Sequence, residues 1–125
     1  MIGDKEAAAT IAVKDLAVAK DFYETKLGLK RVATEGSEAV VYRSGVSKVV
    51  VYRSEYAGTN RATAANWMVG KDLEREVETL KGRGVRFEHY DMPGLTRQGD
   101  VHVAGDMKVA WFKDPDGNIL SLVSG

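Results

Sequence analysis

The chain has no cysteine among its 125 residues. That excludes a disulfide framework, a thiol nucleophile and a thiolate metal site, and it fits a reducing compartment. It has no net charge either, since 18 Lys and Arg balance 18 Asp and Glu. A balanced surface gives no reason to expect a nucleic-acid partner or an anionic membrane. No apolar run approaches the roughly 20 residues of a membrane span. Residues Met1–Ala9 lack a long apolar core behind basic residues, so no signal peptide is expected. The composition predicts a soluble, cytoplasmic protein. Its length predicts one domain, large enough to bury about two-thirds of its unfolded surface.

Proline is scarce, with only two residues, and one of them marks the most informative stretch. In Lys113-Asp114-Pro115-Asp116-Gly117-Asn118, Pro115 presets φ, Asp114 can accept backbone hydrogen bonds, and Gly117 supplies a positive φ. Apolar runs flank this punctuation. A tight hairpin joining Val109–Lys113 to Asn118–Val123, with a fixed register, is predicted.

Read in order, Ala8–Val13 alternates like a strand. Asp15 can cap a helix carrying Leu16, Ala19, Phe22 and Tyr23, and Gly28 stops it. Strands follow at Leu29–Thr34, Glu38–Arg43 and Lys48–Arg53. After a connector around Tyr56–Arg61 the pattern restarts. Ala64–Val69 reads as a strand, and Asp72 opens a helix with Leu73, Val77 and Leu80 on one face. Val85–Tyr90 is a strand, Asp91–Gly105 is irregular, and the hairpin closes the chain. The halves echo each other: Val13-Lys14-Asp15-Leu16 matches Val69-Gly70-Lys71-Asp72-Leu73, and Leu27-Gly28-Leu29 matches Arg83-Gly84-Val85. Two β-α-β-β-β modules are predicted, about residues 7–54 and 63–124 with a linker at 55–62. In each, a helix covers one sheet face and leaves the other free to bind something.

These residues resemble a family. Thr10-Ile11-Ala12-Val13-Lys14-Asp15-Leu16, Asp21-Phe22-Tyr23, Leu27-Gly28-Leu29 and Trp111–Asn118 look like the vicinal oxygen chelate superfamily. That superfamily holds glyoxalase I, bleomycin-resistance proteins and extradiol dioxygenases. The resemblance implies an α+β fold whose two modules form a concave cup, usually in a homodimer that often builds the cup from both chains. It also implies a divalent metal held by His or Glu from the first and last strand of each module. Carried over position by position, the ligand slots fall on Ala8, Val51, Ala64 or Ala65, and Ser121. Ala and Val cannot coordinate and Ser is a poor ligand. The expectation is therefore no metal, no cofactor, and a bleomycin-resistance-like protein that binds or sequesters a small organic molecule. The alternative is a glyoxalase-like lyase or isomerase, or a dioxygenase-type enzyme, using other residues.

No catalytic residue is identifiable. Candidate ligand-binding residues are Thr10, Arg53, Trp67, His102 and Trp111. Arg53 shares a face with Val51, which would turn it toward the cup. Trp67 and Trp111 could lie on either face, with the core slightly preferred for Trp67. His89 and His102 could act as general bases, but neither has an adjacent partner motif. Glu88 with His89, or His102 with Asp106, lacks a third ligand for an independent metal site.

Overall fold

The structure is a computed structural model and describes residues 1–124. The first module runs β1 (Ala9–Val13), α1 (Leu16–Lys20), β2 (Lys30–Glu35), β3 (Ala39–Ser44) and β4 (Ser47–Arg53). The second runs β5 (Thr63–Met68), α2 (Leu73–Gly82), β6 (Phe87–Glu88), β7 (Thr96–Gln98), β8 (Val101–Ala104), β9 (Met107–Lys113) and β10 (Ile119–Val123). The first four strands form sheet A in the order β1-β4-β3-β2. The rest form sheet B in the order β5-β10-β9-β8-β7, with β6 on β9. In each sheet the first strand pairs parallel with the last and the other pairings are antiparallel. The chain is α+β with a repeated plan. The irregular segment carries an additional hairpin, β7–β8, in a stretch too polar and too short to signal one.

Asp15 caps α1, its carboxylate accepting from the N–H groups of Ala17 (2.9 Å) and Val18 (3.3 Å). The helix then widens into a π-helical stretch, Asp21–Lys26, where Leu27 N–H bonds to the Phe22 carbonyl. Both Phe22 and Tyr23 are thereby buried. Asp72 behaves differently from Asp15. A single 3₁₀ turn, Gly70–Asp72, precedes α2, and Asp72 makes no cap bond but pairs with Arg75.

Register sets the faces. In sheet A, Ile11 pairs Val51, and Val51 and Val49 pair Val40 and Tyr42. All five are buried on the side covered by α1. In sheet B, Phe112 pairs Leu120, and Leu122 pairs Ala110 and Trp67, again on the covered side. The two covered sides share one core. Phe22 of the π-helical stretch after α1 meets Phe112 of sheet B, with ring centroids 6.4 Å apart. Trp67 Nε1–H reaches Ser44 Oγ across the modules at 2.8 Å. Since both covered faces look into that common core, the two open faces look outward. A cup bounded by both therefore requires a second chain.

The hairpin turn locks the modules together. It has the predicted form, with Gly117 at φ 90° and its N–H bonded to the Asp114 carbonyl. The buried Asp114 carboxylate accepts four hydrogen bonds: from Tyr23 Oη–H (2.7 Å), Asn118 Nδ2–H (2.8 Å), Asn118 N–H (2.8 Å) and Asp116 N–H (3.0 Å). Asn118 Nδ2–H also reaches the Ala12 carbonyl of β1, and Asp116 accepts from Lys14 N–H. Burial, and then the Asp114 charge beside it, raise the Tyr23 hydroxyl pKa far above the ordinary tyrosine value, so it stays a donor. The linker touches the same turn. Gly58 has φ +74°, and a Cβ there would overlap the Asp116 carbonyl oxygen.

Candidate functional site

The two open faces differ in chemistry. On sheet A the outward residues include Thr10, Ala12, Val41, Val50 and Tyr52, with Arg43 and Lys48 at one end. On sheet B they include Trp111, Ser121, Asn66 and His102. Here the segment after β6 folds back so that the Tyr90 ring lies edge-on to Trp111, with centroids 5.3 Å apart. His102 lies beneath, fully buried, its ring 4.8 Å from Trp111 and 6.2 Å from Tyr90. Ser121, directly across the ladder from Trp111, is buried as well.

Hydrogen bonding in this cluster is incomplete. Tyr90 N–H donates to His102 Nε2 at 2.9 Å. An accepting Nε2 carries no proton, so in the neutral ring Nδ1 bears it and becomes a donor. That Nδ1 and the Tyr90 hydroxyl are both buried, and neither has a partner among the described residues. Leaving a buried polar group unmatched costs about 1–3 kcal/mol. Burial, and secondarily the Glu88 charge, push the Tyr90 hydroxyl pKa up, so it stays protonated at neutral pH. The Trp111 Nε1–H donates to Thr63 Oγ1 at 3.2 Å.

The segment bearing Tyr90 is tied down by Asp100. Its carboxylate accepts from Lys81 Nζ and meets His89 Nε2, each at 2.8 Å. These contacts, Lys81 first, hold the Asp100 carboxyl below the usual carboxylate range, and raise the Lys81 pKa in turn. Neither Tyr90 nor Asp100 was singled out from the sequence. The turn residues Pro93 and Gly94 announce a loop, but nothing local says which face its flanking aromatic will cover.

The five candidate residues do not converge. Trp111 and His102 lie together on the open face of sheet B. Thr10 is exposed on the open face of sheet A. Trp67 belongs to the covered side, stacked on Phe112. Arg53 keeps the parity of Val51, but that parity points to the covered side, so it does not enter a cup. It sits at the exposed end of β4, paired with Glu38 at 3.1 Å. His89 is occupied by Asp100.

The metal slots shift in the same way. Ala8 precedes β1 and is exposed. Val51, 1% exposed, is core rather than cup. Its neighbours Val50 and Tyr52, opposite Thr10 and Ala12, are the residues that face outward. In β5 a bulge inserts Ala64, which packs on the core with Ala65, so Asn66 rather than either alanine lies opposite Ser121. This bulge comes in addition to the extra residue at Gly70, which lies in the 3₁₀ turn Gly70–Asp72. With the register corrected, the outward set is Thr10, Val50 or Tyr52, Asn66 and Ser121. No His or carboxylate is among them, so these residues do not fit a transition-metal site. Among the described residues, no three His, Asp or Glu side chains converge anywhere.

Comparison with known proteins agrees with this architecture. Fosfomycin resistance protein FosX from Listeria monocytogenes superposes with a TM-score of 0.71 at 14% identity, over 95% of this chain and 91% of that one. FosX from Mesorhizobium loti gives 0.67 at 16% identity, over 95% and 90%. Lactoylglutathione lyase from Agrobacterium tumefaciens gives 0.68 at 13% identity, over 95% and 92%. At these identities the likeness shows the fold. No curated protein matches in sequence. Among the described residues, no helix is long and apolar enough to cross a membrane. The profile of one family matches residues 7–122, nearly the whole chain. The protein belongs to the Glyoxalase/Bleomycin resistance protein/Dioxygenase superfamily, the vicinal oxygen chelate fold.

Proposed function

We propose that this protein binds a small, flat organic molecule against the open face of sheet B, without a metal and without turnover, as a cytoplasmic homodimer. The observation that carries the reading is the unmatched pair, His102 Nδ1–H and Tyr90 Oη, buried beside the Trp111 ring. An aromatic wall supplies stacking area, and two unsatisfied polar groups supply orientation. A ligand bearing a carbonyl or ring-nitrogen acceptor would take the His102 proton. The outward-looking open faces, which a partner's open face can roof, support the dimer.

The enzyme alternative has less support. The one buried imidazole spends its lone pair on Tyr90 N–H, so its other nitrogen is a donor and not a base. The four outward slots, Thr10, Val50 or Tyr52, Asn66 and Ser121, also lack the donors for a Lewis-acid centre.

Native mass spectrometry of protein purified from cells tests this directly. A dimer mass carrying a small-molecule adduct, unchanged by EDTA and recovered chemically intact, is expected. Conversion of the adduct during incubation, or a monomer across micromolar concentrations, would overturn the corresponding part of the reading.

A further inference from the structure

A cavity lies on the covered side, away from the open faces. Its volume is about 360 Å³, within the roughly 300–1,000 Å³ of small-molecule sites. It opens where the chain after the π-helical stretch, the β3–β4 turn, β5 and α2 meet. Trp67, Phe112, Leu80 and Leu122 give it an apolar floor. Trp67 is fixed there by stacking on Phe112 and by its bond to Ser44 Oγ.

Three charged residues border this cavity: Lys30, Arg43 and Glu76. Strand register separates them. Tyr42 is buried on the covered side, so its neighbour Arg43 turns to the open face, and Lys30, directly across the ladder from Arg43, turns with it. Their charged ends therefore project away from the cavity. Glu76 comes from α2, one turn before Leu80 and beside Val77, on the flank of the buried stripe. It is half-buried, and among the described residues its carboxylate has no ion pair and no hydrogen-bond partner. Arg83, two turns further along that flank, is committed elsewhere, its Nη1–H donating to the Lys26 carbonyl at 3.1 Å. An unpaired carboxylate half withdrawn from water gains from a cation that replaces its lost hydration.

We infer that this cavity binds a compact arylalkyl amine, its ring on the Trp67 floor and its primary ammonium on the Glu76 carboxylate. An alkyl amine is cationic at neutral pH. Its N–H groups donate to the carboxylate in charge-assisted hydrogen bonds. The apolar floor holds the ring, and the one charged side chain left facing the cavity sets the sign of the head group. An acid of the same shape brings like charge against Glu76 and binds worst.

The two tryptophans make the test clean, since each reports a different face. In ¹⁵N–¹H spectra the two indole signals are assigned with Trp67→Phe and Trp111→Phe. Titration with 2-phenylethylamine at neutral pH should move the Trp67 signal saturably and leave that of Trp111 in place. The neutral isostere 2-phenylethanol should bind about fivefold more weakly, the scale of an exposed charge pair, and 3-phenylpropionate more weakly still. Glu76→Gln should bring amine and alcohol to equal affinity. Glu76 is partly exposed on the helix flank, so this variant is expected to fold. No saturable change at Trp67 with the amine up to about 10 mM, movement of the Trp111 signal alone, an alcohol or acid that binds as tightly as the amine, or an amine preference that survives Glu76→Gln would each overturn the proposal.

Discussion

The open faces of the two sheets are the same place in two copies of one plan, and they have become different surfaces. Sheet A presents Thr10, Ala12, Val41, Val50 and Tyr52, small or aliphatic apart from one tyrosine, with Arg43 and Lys48 at one end. Sheet B presents Trp111, His102 and Ser121 beneath a returning segment that carries Tyr90. The covered faces show no such divergence. Both are built from apolar residues that must pack into one core, β-branched and aromatic in sheet A, and aromatic, Leu, Val and Ala in sheet B. Packing constrains the shared side. The outward side is free to take up chemistry, and only sheet B did so.

The largest effect should come from breaking what the two sheets share. Asp114 accepts from Tyr23 of the π-helical stretch and from its own turn, and Asn118, which it holds, donates on to the Ala12 carbonyl of β1. Asp114→Ala leaves the buried Tyr23 hydroxyl and two backbone N–H groups without partners. A loss of about 3 kcal/mol or more is expected from urea denaturation, in a single transition because both modules hang on the turn. Two separate transitions would show that the modules fold independently.

The next effect separates the open faces. Trp111→Ala should weaken ligand binding by about 1–3 kcal/mol, the scale of a lost aromatic platform. Tyr52→Ala, on the matching face of sheet A, should cost less than about 1 kcal/mol in binding, because among the described residues Tyr52 has no aromatic partner or buried unmatched polar group beside it. Equal losses, measured by isothermal titration, would mean that the partner's sheet A contributes as much as sheet B.

The shared part of the molecule was far more legible in sequence than the divergent part. Asp15, Gly28 and the Asp114–Gly117 turn act through local backbone chemistry, which spacing alone reveals. Strands with clean alternation, such as β1 and β4, were placed within a residue. Their facing was not, because a period of two leaves the choice of side to tertiary contacts. Arg53 and Val51 went to the wrong side together for that reason. Trp67 was ambiguous because Gly70 adds a residue between Val69 and Asp72, so counting from either end of that stretch gives opposite faces; the pairing with Leu122 supports the count from Val69. Tyr90 was missed because its role depends on where a loop returns, and the loop's own residues do not encode that.

A smaller effect, of opposite sign, should come from Tyr90→Phe. The change keeps the ring over Trp111 and removes a buried hydroxyl that has no partner. Stability should rise by up to about 1 kcal/mol while ligand affinity falls, a trade expected where a polar group is held ready for a ligand. If thermal denaturation shows the variant less stable than the parent, the hydroxyl has a partner within the fold, and sheet B loses that distinction from sheet A.

The smallest effect concerns pH and again pits one module against the other. Asp100 tethers the sheet B roof, and contacts from Lys81 and then His89 depress its pKa. Glu24 lies under sheet A; burial pushes its carboxyl up, but Tyr42 and Arg31 outweigh this and leave it depressed as well. A carboxylate depressed in the folded state contributes stability above its unfolded value of about 4. That contribution is lost as pH falls through the lower folded value. Neither group should change stability between pH 8 and about 5, and both should weaken the fold below about pH 4. The consequences differ by module. Releasing Asp100 frees the segment over Trp111, whereas releasing Glu24 disturbs only the helix-side contacts of sheet A. Asp100→Asn at neutral pH should therefore reproduce the acid change in Trp111 fluorescence, read in a Trp67→Phe background, at a stability cost below about 1 kcal/mol because Lys81 and His89 are half exposed. Glu24→Gln should leave that signal unchanged. If Glu24→Gln shifts it equally, the two sheets are coupled through their common core, and the roof is not an independent device of sheet B.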